Sequence, residues 1–195
     1  MSILNLQNCP TCESNQFSKL IQTKAQMHPS KSSFQFEQCE NCKLVFLNPR
    51  LPLDQLKGYY SDYYLPYRGP EAWGKYEKQV VSSQQKIDQK RAGLLQEYHS
   101  VKSSTMILDV GCGKPTFLKT CAEKYHCQTI GIDFSDEGWK ANPSEYQGID
   151  LMVGEVKDLP ADLRPDIITM WHYLEHDYDP LETLKILKSI AKPQT

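Results

Sequence analysis

Two Cys-x-x-Cys pairs, Cys9-Pro-Thr-Cys12 and Cys39-Glu-Asn-Cys42, put four thiols at metal-ligand spacing with 26 residues between the pairs. Two such turns close a tetrahedral thiolate cage around one zinc ion, and four cysteine ligands leave no coordination position open for catalysis. A rubredoxin-like iron site and two unrelated thiol pairs are the alternatives. The surrounding segment has few apolar residues, so the metal is expected to supply much of its stability. A second chemical cluster begins at Asp109, where Met106-Ile-Leu-Asp-Val-Gly-Cys-Gly-Lys-Pro115 passes from an apolar run into Gly111-x-Gly113. Bare backbone and a helix start at the carboxyl end of a strand suit a nucleotide-like ligand. The acid ahead of the glycines is more specific, because a carboxylate there suits a cofactor that carries an ammonium group. Asp133, Glu155 and the run Trp171-His-Tyr-Leu-Glu-His176 add further polar groups downstream.

These groups need elements that deliver them to one rim. Strands are predicted at 106–110, 128–133, 149–153 and 166–171, with helices at 116–125, near 136–141 and at 181–191. Strands alternating with helices indicate an α/β fold, a Rossmann-like parallel sheet covered on both faces. Ligands of such sheets bind beyond the carboxyl ends of the strands. Asp109 closes the first strand and Asp133 the second; Glu155 follows the third, and 171–176 follow the fourth. An acid at the end of the second strand suits a bidentate hydrogen bond to ribose hydroxyls. Any one of these acids alone also reads as a cap for the next helix or turn.

Upstream, 34–38 alternate and lead into the second cysteine pair, as a strand does in a zinc ribbon. The strand at 44–47 is stopped by prolines. The tyrosine-dense stretch 58–67 reads either as a binding surface for a sugar or as a connector. One or two helices are predicted over 71–98, with Trp73, Tyr76, Val80 or Val81, Ile87 and Leu94 on the apolar side. The expected division is a zinc-ribbon module at 1–52, a Tyr-rich connector with helices at 53–104, and a cofactor-binding domain at 105–195.

With a net charge of −2, 24% charged and 39% hydrophobic residues, the 195-residue chain has the composition of an ordinary globular protein. It offers no electrostatic case for nucleic acid. No apolar run reaches the length of a membrane span, and the first residues have neither a basic start nor an apolar signal core. A cytoplasmic location is therefore expected. The odd count of seven cysteines also argues against an oxidising compartment, and Cys112, Cys121 and Cys127 follow no ligand spacing.

Leu108-Asp-Val-Gly-Cys-Gly113, Gly131-Ile-Asp-Phe-Ser135, Gly154-Glu155 with Asp158-Leu-Pro160, and Tyr173-Leu-Glu-His176 with Asp179-Pro180 follow one another in order. On these residues the chain resembles the class I S-adenosylmethionine-dependent methyltransferases over about 105–192. The resemblance implies that Asp109 holds the methionine ammonium and that Gly111 and Gly113 admit the cofactor. It implies that Asp133 takes the ribose, that Phe134 lies against the adenine, and that Trp171 and His172 stand beside the cofactor. Glu155 falls at the adenine amino edge, where the family more often has Asp. Pro115 occupies the place of the family's usual third glycine; proline is favoured in the first turn of a helix.

The cysteine pairs resemble the zinc module fused to methyltransferases in a bacterial subgroup that includes deoxysugar C-methyltransferases. By that likeness the acceptor is a small molecule, with a sugar the leading candidate, and Tyr173, Glu175 and His176 lie by the reacting carbon. Methyl transfer is an in-line attack on a sulfonium carbon, and a histidine side chain ordinarily titrates where it can remove the acceptor's proton. Glu175 and His176 as a structural cap of the last loop is the competing reading. A nicotinamide-dependent oxidoreductase would put glycine at Thr116 and would not want Asp109 near a pyrophosphate. A non-catalytic module that recruits a partner through the ribbon or the exposed sheet edge, its cofactor site vestigial, is the third reading. The family's sheet has seven strands, whereas this sequence supports four. A chain truncated before the fifth strand is therefore expected, with little turnover of its own and an apolar fourth strand open to self-association.

Overall fold

The computed structural model describes residues 3–25, 32–56 and 69–195. The tyrosine-dense stretch 58–67 lies outside the described residues. The chain divides into two compact units, Met1–Gly69 and Pro70–Thr195.

The first unit is an antiparallel sheet of three strands in the order β1-β2-β3. These are β1 (Phe17–Lys24), β2 (Ser33–Cys39) and β3 (Val45–Leu47), followed by the single-turn helix α1 (Leu53–Leu56). Buried Cys9, Cys39 and Phe46 form its core, with Phe17 edge-on to Phe46 at a centroid distance of 5.3 Å. Asn48 ties the N-terminal segment to the end of β3: its Oδ1 accepts from the Leu6 amide at 2.9 Å, and its Nδ2 donates to Glu37 at 2.6 Å. Strand β1 was not expected, because most of its side chains are exposed and no apolar alternation marks it.

The second unit begins with a 3-10 segment, Pro70–Tyr76, and continues into the long helix α2 (Glu77–Tyr98). Gly74 separates the two with φ +52, a conformation that costs glycine little. There follow β4 (Met106–Val110), α3 (Thr116–Tyr125), β5 (Gln128–Asp133), β6 (Asp150–Val153), β7 (Ile167–Thr169) and α4 (Pro180–Ile190). All neighbours in the four-stranded sheet are parallel, in the order β6-β5-β4-β7. The fold is therefore α/β, as predicted. Strand β4 is central, and Ile107, Leu108 and Val110 are almost wholly buried. Alternation along β4 and β5 sends side chains to opposite faces. Ile107 joins Phe117, Leu118 and Cys121 on the α2–α3 face, whereas Leu108, Val110, Ile130 and Ile132 join Leu187 and Ile190 on the α4 face.

Two expectations fail here. The apolar residues expected on the buried side do not form it: Trp73 and Tyr76 of the 3-10 segment and Val81, Ile87 and Leu94 of α2 are exposed, Val80 is half-buried, and the helix instead buries Asp88, Ala92 and Leu95. Those three recur at i, i+4 and i+7, and small Ala92 admits α3, whose Tyr125 hydroxyl donates to the Ala92 carbonyl at 2.8 Å. Close approach between helices selected the face, not the number of apolar side chains on it. Second, 136–141 form turns rather than a helix. The amides of Trp139 and Lys140 donate to the Asp136 carbonyl, but Gly138 and the Asn142-Pro143 step stop propagation.

Candidate functional site

The glycine loop leaves β4 at Val110 and enters α3 at Thr116. Gly111 and Gly113 adopt φ +71 and +50, the left-handed region in which a Cβ is unwelcome. A Cβ on Gly111 would lie 2.5 Å from Cδ2 of Tyr173, so the tyrosine ring rests directly on this glycine. Gly138 is equally confined, because a Cβ there would sit 2.2 Å from the Gly113 carbonyl oxygen. Gly138 is thus part of the cradle, although its sequence neighbours give no sign of it. Pro115 stands one residue before α3 and not within it. Its carbonyl accepts the first helical bond, from Lys119 at 3.0 Å, and no side chain caps the helix. Gly111→Ala should therefore cost about 2 kcal/mol, from the left-handed backbone and displacement of Tyr173. Urea unfolding of the variant would measure it, and an unchanged midpoint would contradict this account.

Two carboxylates flank the loop. Asp109 is buried (4% exposed), and its Oδ1 accepts from the Thr169 hydroxyl at 2.7 Å. Among the described residues its Oδ2 accepts no hydrogen bond. Burial pushes the Asp109 carboxyl up to about 7; the Thr169 bond and the charge of Arg91 only partly offset this. Asp133, also buried, accepts from the Gly113 amide at 2.9 Å and from Ser135 at 3.1 Å, so it braces the loop it faces. Its carboxyl too is raised by burial, against the pull of those amides. Next to it, Phe134 is 37% exposed at the end of β5.

Glu155 follows β6 and is engaged locally. It caps the 3-10 turn Val156–Asp158 reciprocally with Asp158, and Lys157 pairs with it at 2.7 Å. Beyond β7, Trp171 packs edge-on to Phe117 at 5.5 Å, with the Arg91 guanidinium over its ring at 4.6 Å. Its Nε1 is buried without a hydrogen-bond partner. His172 takes φ +56 and is exposed, its Nδ1 lying 3.3 Å from Glu175. The Glu175 carboxyl is held low by its own backbone amide and the two nearby histidines. Tyr173 is half-buried, whereas His176 and Glu175 are exposed on the 3-10 turn Leu174–His176. All of these residues follow the carboxyl ends of adjacent strands. Arg91, Asp88, Thr169 and Gly138 join them without having been foreseen.

In the first unit the sulfurs of Cys9, Cys12, Cys39 and Cys42 all lie within 4.8 Å of one another. The Cys9–Cys42 and Cys12–Cys39 separations are 3.6 and 3.5 Å. A zinc ion with Zn–S bonds near 2.3 Å implies tetrahedral edges of about 3.8 Å, so the four sulfurs fit that ion. The two cysteine turns are built alike. In each, the first cysteine amide bonds the carbonyl five residues on, and its own carbonyl receives the amide four residues on. Glu13 and Lys43 occupy equivalent places with φ +60 and +64. The Ser14 amide holds the Cys12 thiol low, at about 6, whereas burial and the neighbouring cysteine sulfurs push Cys42 up to about 12, so the thiols resist ionising together until a cation joins them.

The family model described as a methyltransferase domain matches residues 83–195. The chain belongs to that family. The sequence matches no curated protein. Among solved structures it is similar to magnesium protoporphyrin IX methyltransferase (ChlM) from Synechocystis PCC 6803 with bound S-adenosylmethionine. Identity is 16%, with 74% of each chain covered and a TM-score of 0.56. The same enzyme with S-adenosylhomocysteine gives 15%, 72% of this chain, 68% of that chain and 0.55. The plantazolicin methyltransferase BpumL gives 17%, 71%, 49% and 0.44. At these identities the likeness is one of fold.

Proposed function

We propose that the chain is an S-adenosylmethionine-dependent methyltransferase whose acceptor is a small molecule, a sugar being the first to test. One observation carries the reading: Asp109 is a buried carboxylate that, among the described residues, is bonded by the Thr169 hydroxyl alone, beside a glycine loop that Asp133 braces. A buried carboxylate needs a compensating partner, and an ammonium-bearing nucleoside supplies one. In this reading Asp109 receives the ammonium, Gly111 and Gly113 keep the loop clear of side chains, and Asp133 accepts from the ribose hydroxyls. Phe134 offers its face to the adenine, Glu155 its edge, and Trp171 and His172 border the methionyl side. When bound, the cofactor supplies an electrophilic methyl group on a sulfonium.

Tyr173, Glu175 and His176 stand on the acceptor side, with His176 as the proton acceptor and Glu175 orienting the turn. Positioning of acceptor and methyl donor in line supplies much of the remaining acceleration. Cys9, Cys12, Cys39 and Cys42 would hold a structural zinc ion in an N-terminal ribbon, here placed at 1–52. The helical connector at 53–104 leads from it to the cofactor domain. Calorimetric titration of the full chain tests the cofactor assignment. S-adenosylhomocysteine should bind in a 1:1 ratio and NAD should give no heat; silence toward the homocysteine nucleoside would sink the proposal.

A further inference from the structure

The first half of α2 stands clear of the second unit's core. From Glu77 to Ile87 every residue is exposed except half-buried Val80, and burial begins only at Asp88, followed by Ala92 and Leu95. The same stretch has little local support. Tyr76 at its N-cap makes no side-chain cap bond, and Val80-Val-Ser-Ser83 is a run of poor helix formers. A helix this short is marginal in water without a packed face.

It carries an unused face. Val80, Ile87 and Leu94 recur at intervals of seven residues, the spacing that lines up side chains between paired helices. Ile87 and Leu94 are 45% and 38% exposed, and Tyr98, one turn further on, is 83% exposed. The row stands about a quarter-turn from Asp88, Ala92 and Leu95, so α2 can keep α3 and accept a second neighbour.

A second copy of this chain is the neighbour that matches. A two-fold contact joins identical patches, so the row must map onto itself when reversed. It does so about the Ser83–Gln84 step. Antiparallel α2 helices crossing there bring Val80 of each copy against Ile87 of the other, with small, uncharged Ser83 at the crossing. Leu94 then reaches the exposed Tyr76 at the start of the other helix, and Glu77 stands opposite the Lys90-Arg91 step. Charges are complementary and the helix dipoles opposed, whereas a parallel pair would set Glu77 by Glu77 and Lys90 by Lys90. We infer that the chain self-associates through this face of α2 as an antiparallel two-fold dimer. The contact covers roughly 1,000 Å² in all, the small end of specific interfaces, so monomer and dimer should exchange at micromolar concentration.

Sedimentation velocity of the full chain from low to high micromolar concentration tests it. Wild type should pass from monomer to dimer. Ile87→Glu should weaken association by about tenfold or more, whereas Val81→Glu, off the row, should leave it unchanged. Both positions are exposed, and matching far-UV spectra at dilution would show both variants folded. Ser83→Cys should form a disulfide-linked dimer under mild oxidation that neither wild type nor Ser82→Cys forms, because position 83 faces itself across the axis. A wild-type chain that stays monomeric throughout, or a dimer indifferent to Ile87→Glu, would overturn the inference. A monomer in which the new thiol of Ser83→Cys resists alkylation would assign the face to another segment of the same chain and overturn it equally.

Discussion

Asp109→Asn should weaken S-adenosylhomocysteine binding by about 100-fold or more at pH 8 and, in the same protein, raise the thermal stability of the unliganded chain. The first effect follows from removing one partner of a buried ion pair, which costs on the order of 3 kcal/mol or more. The second follows from burial. The folded-state carboxyl is raised to about 7 from its ordinary 3.8, so its ionisation opposes folding. Its contribution to stability is fully present below pH 4 and is lost as pH rises through 7. The melting temperature of the Asn variant should therefore gain on wild type between pH 5 and pH 8. Asparagine keeps the acceptor for the Thr169 hydroxyl, so no packing defect should blur the comparison. Affinity carries the opposite sign. An ammonium needs the ionised carboxylate, so wild-type binding should weaken by up to tenfold per pH unit below about 7 and level off above it. Titrations from pH 5 to pH 8 would show whether Asp109 is the group responsible: the Asn variant should have lost that slope.

Removal of metal should unfold the first unit outright. Among the described residues its buried apolar set is Cys9, Cys39, Phe46 and Leu51, and two of those four are themselves ligand candidates. A structural zinc in a site of this kind contributes on the order of 10 kcal/mol, far beyond what so small a core can replace. Metal analysis should find about one zinc per chain. Chelation, or Cys39→Ser, should expose the three-stranded sheet to protease while the second unit, with its own two clusters around β4, keeps its thermal transition. Iron in place of zinc, or an unchanged digestion pattern without metal, would overturn the assignment.

The parts of this fold that were legible beforehand are those with one strong physical demand. Strands β4 and β5 are buried on both faces and carry aliphatic residues up to an acid at or near their ends, so their bounds and those acids could be placed from the chain alone. Strand β1 makes no such demand: six of its eight residues are exposed, and its pairing with β2 depends on backbone bonds that any residues could make. Helix α2 was legible as a helix but not as a surface, because the partner that chooses its face, α3, lies beyond an intervening strand. The site divides in the same way. Asp109, Gly111, Gly113 and Asp133 sit where a strand or tight turn fixes them. Arg91 reaches the same corner from a polar helix, and its meeting with Trp171 joins positions 80 residues apart that share no local pattern.

That meeting gives the chain a reporter of its own. Of its three tryptophans, Trp73 is exposed, Trp139 lies half-buried against the core, and Trp171 is the one that, among the described residues, holds a cation over its ring. Light absorbed by an indole shifts electron density from the five-membered to the six-membered ring, so a charge fixed above the ring tunes the colour of emission. A shift of that guanidinium away from the ring removes part of that field. The seating of α2 beside Trp171 is thereby written into the intrinsic fluorescence of an unlabelled protein.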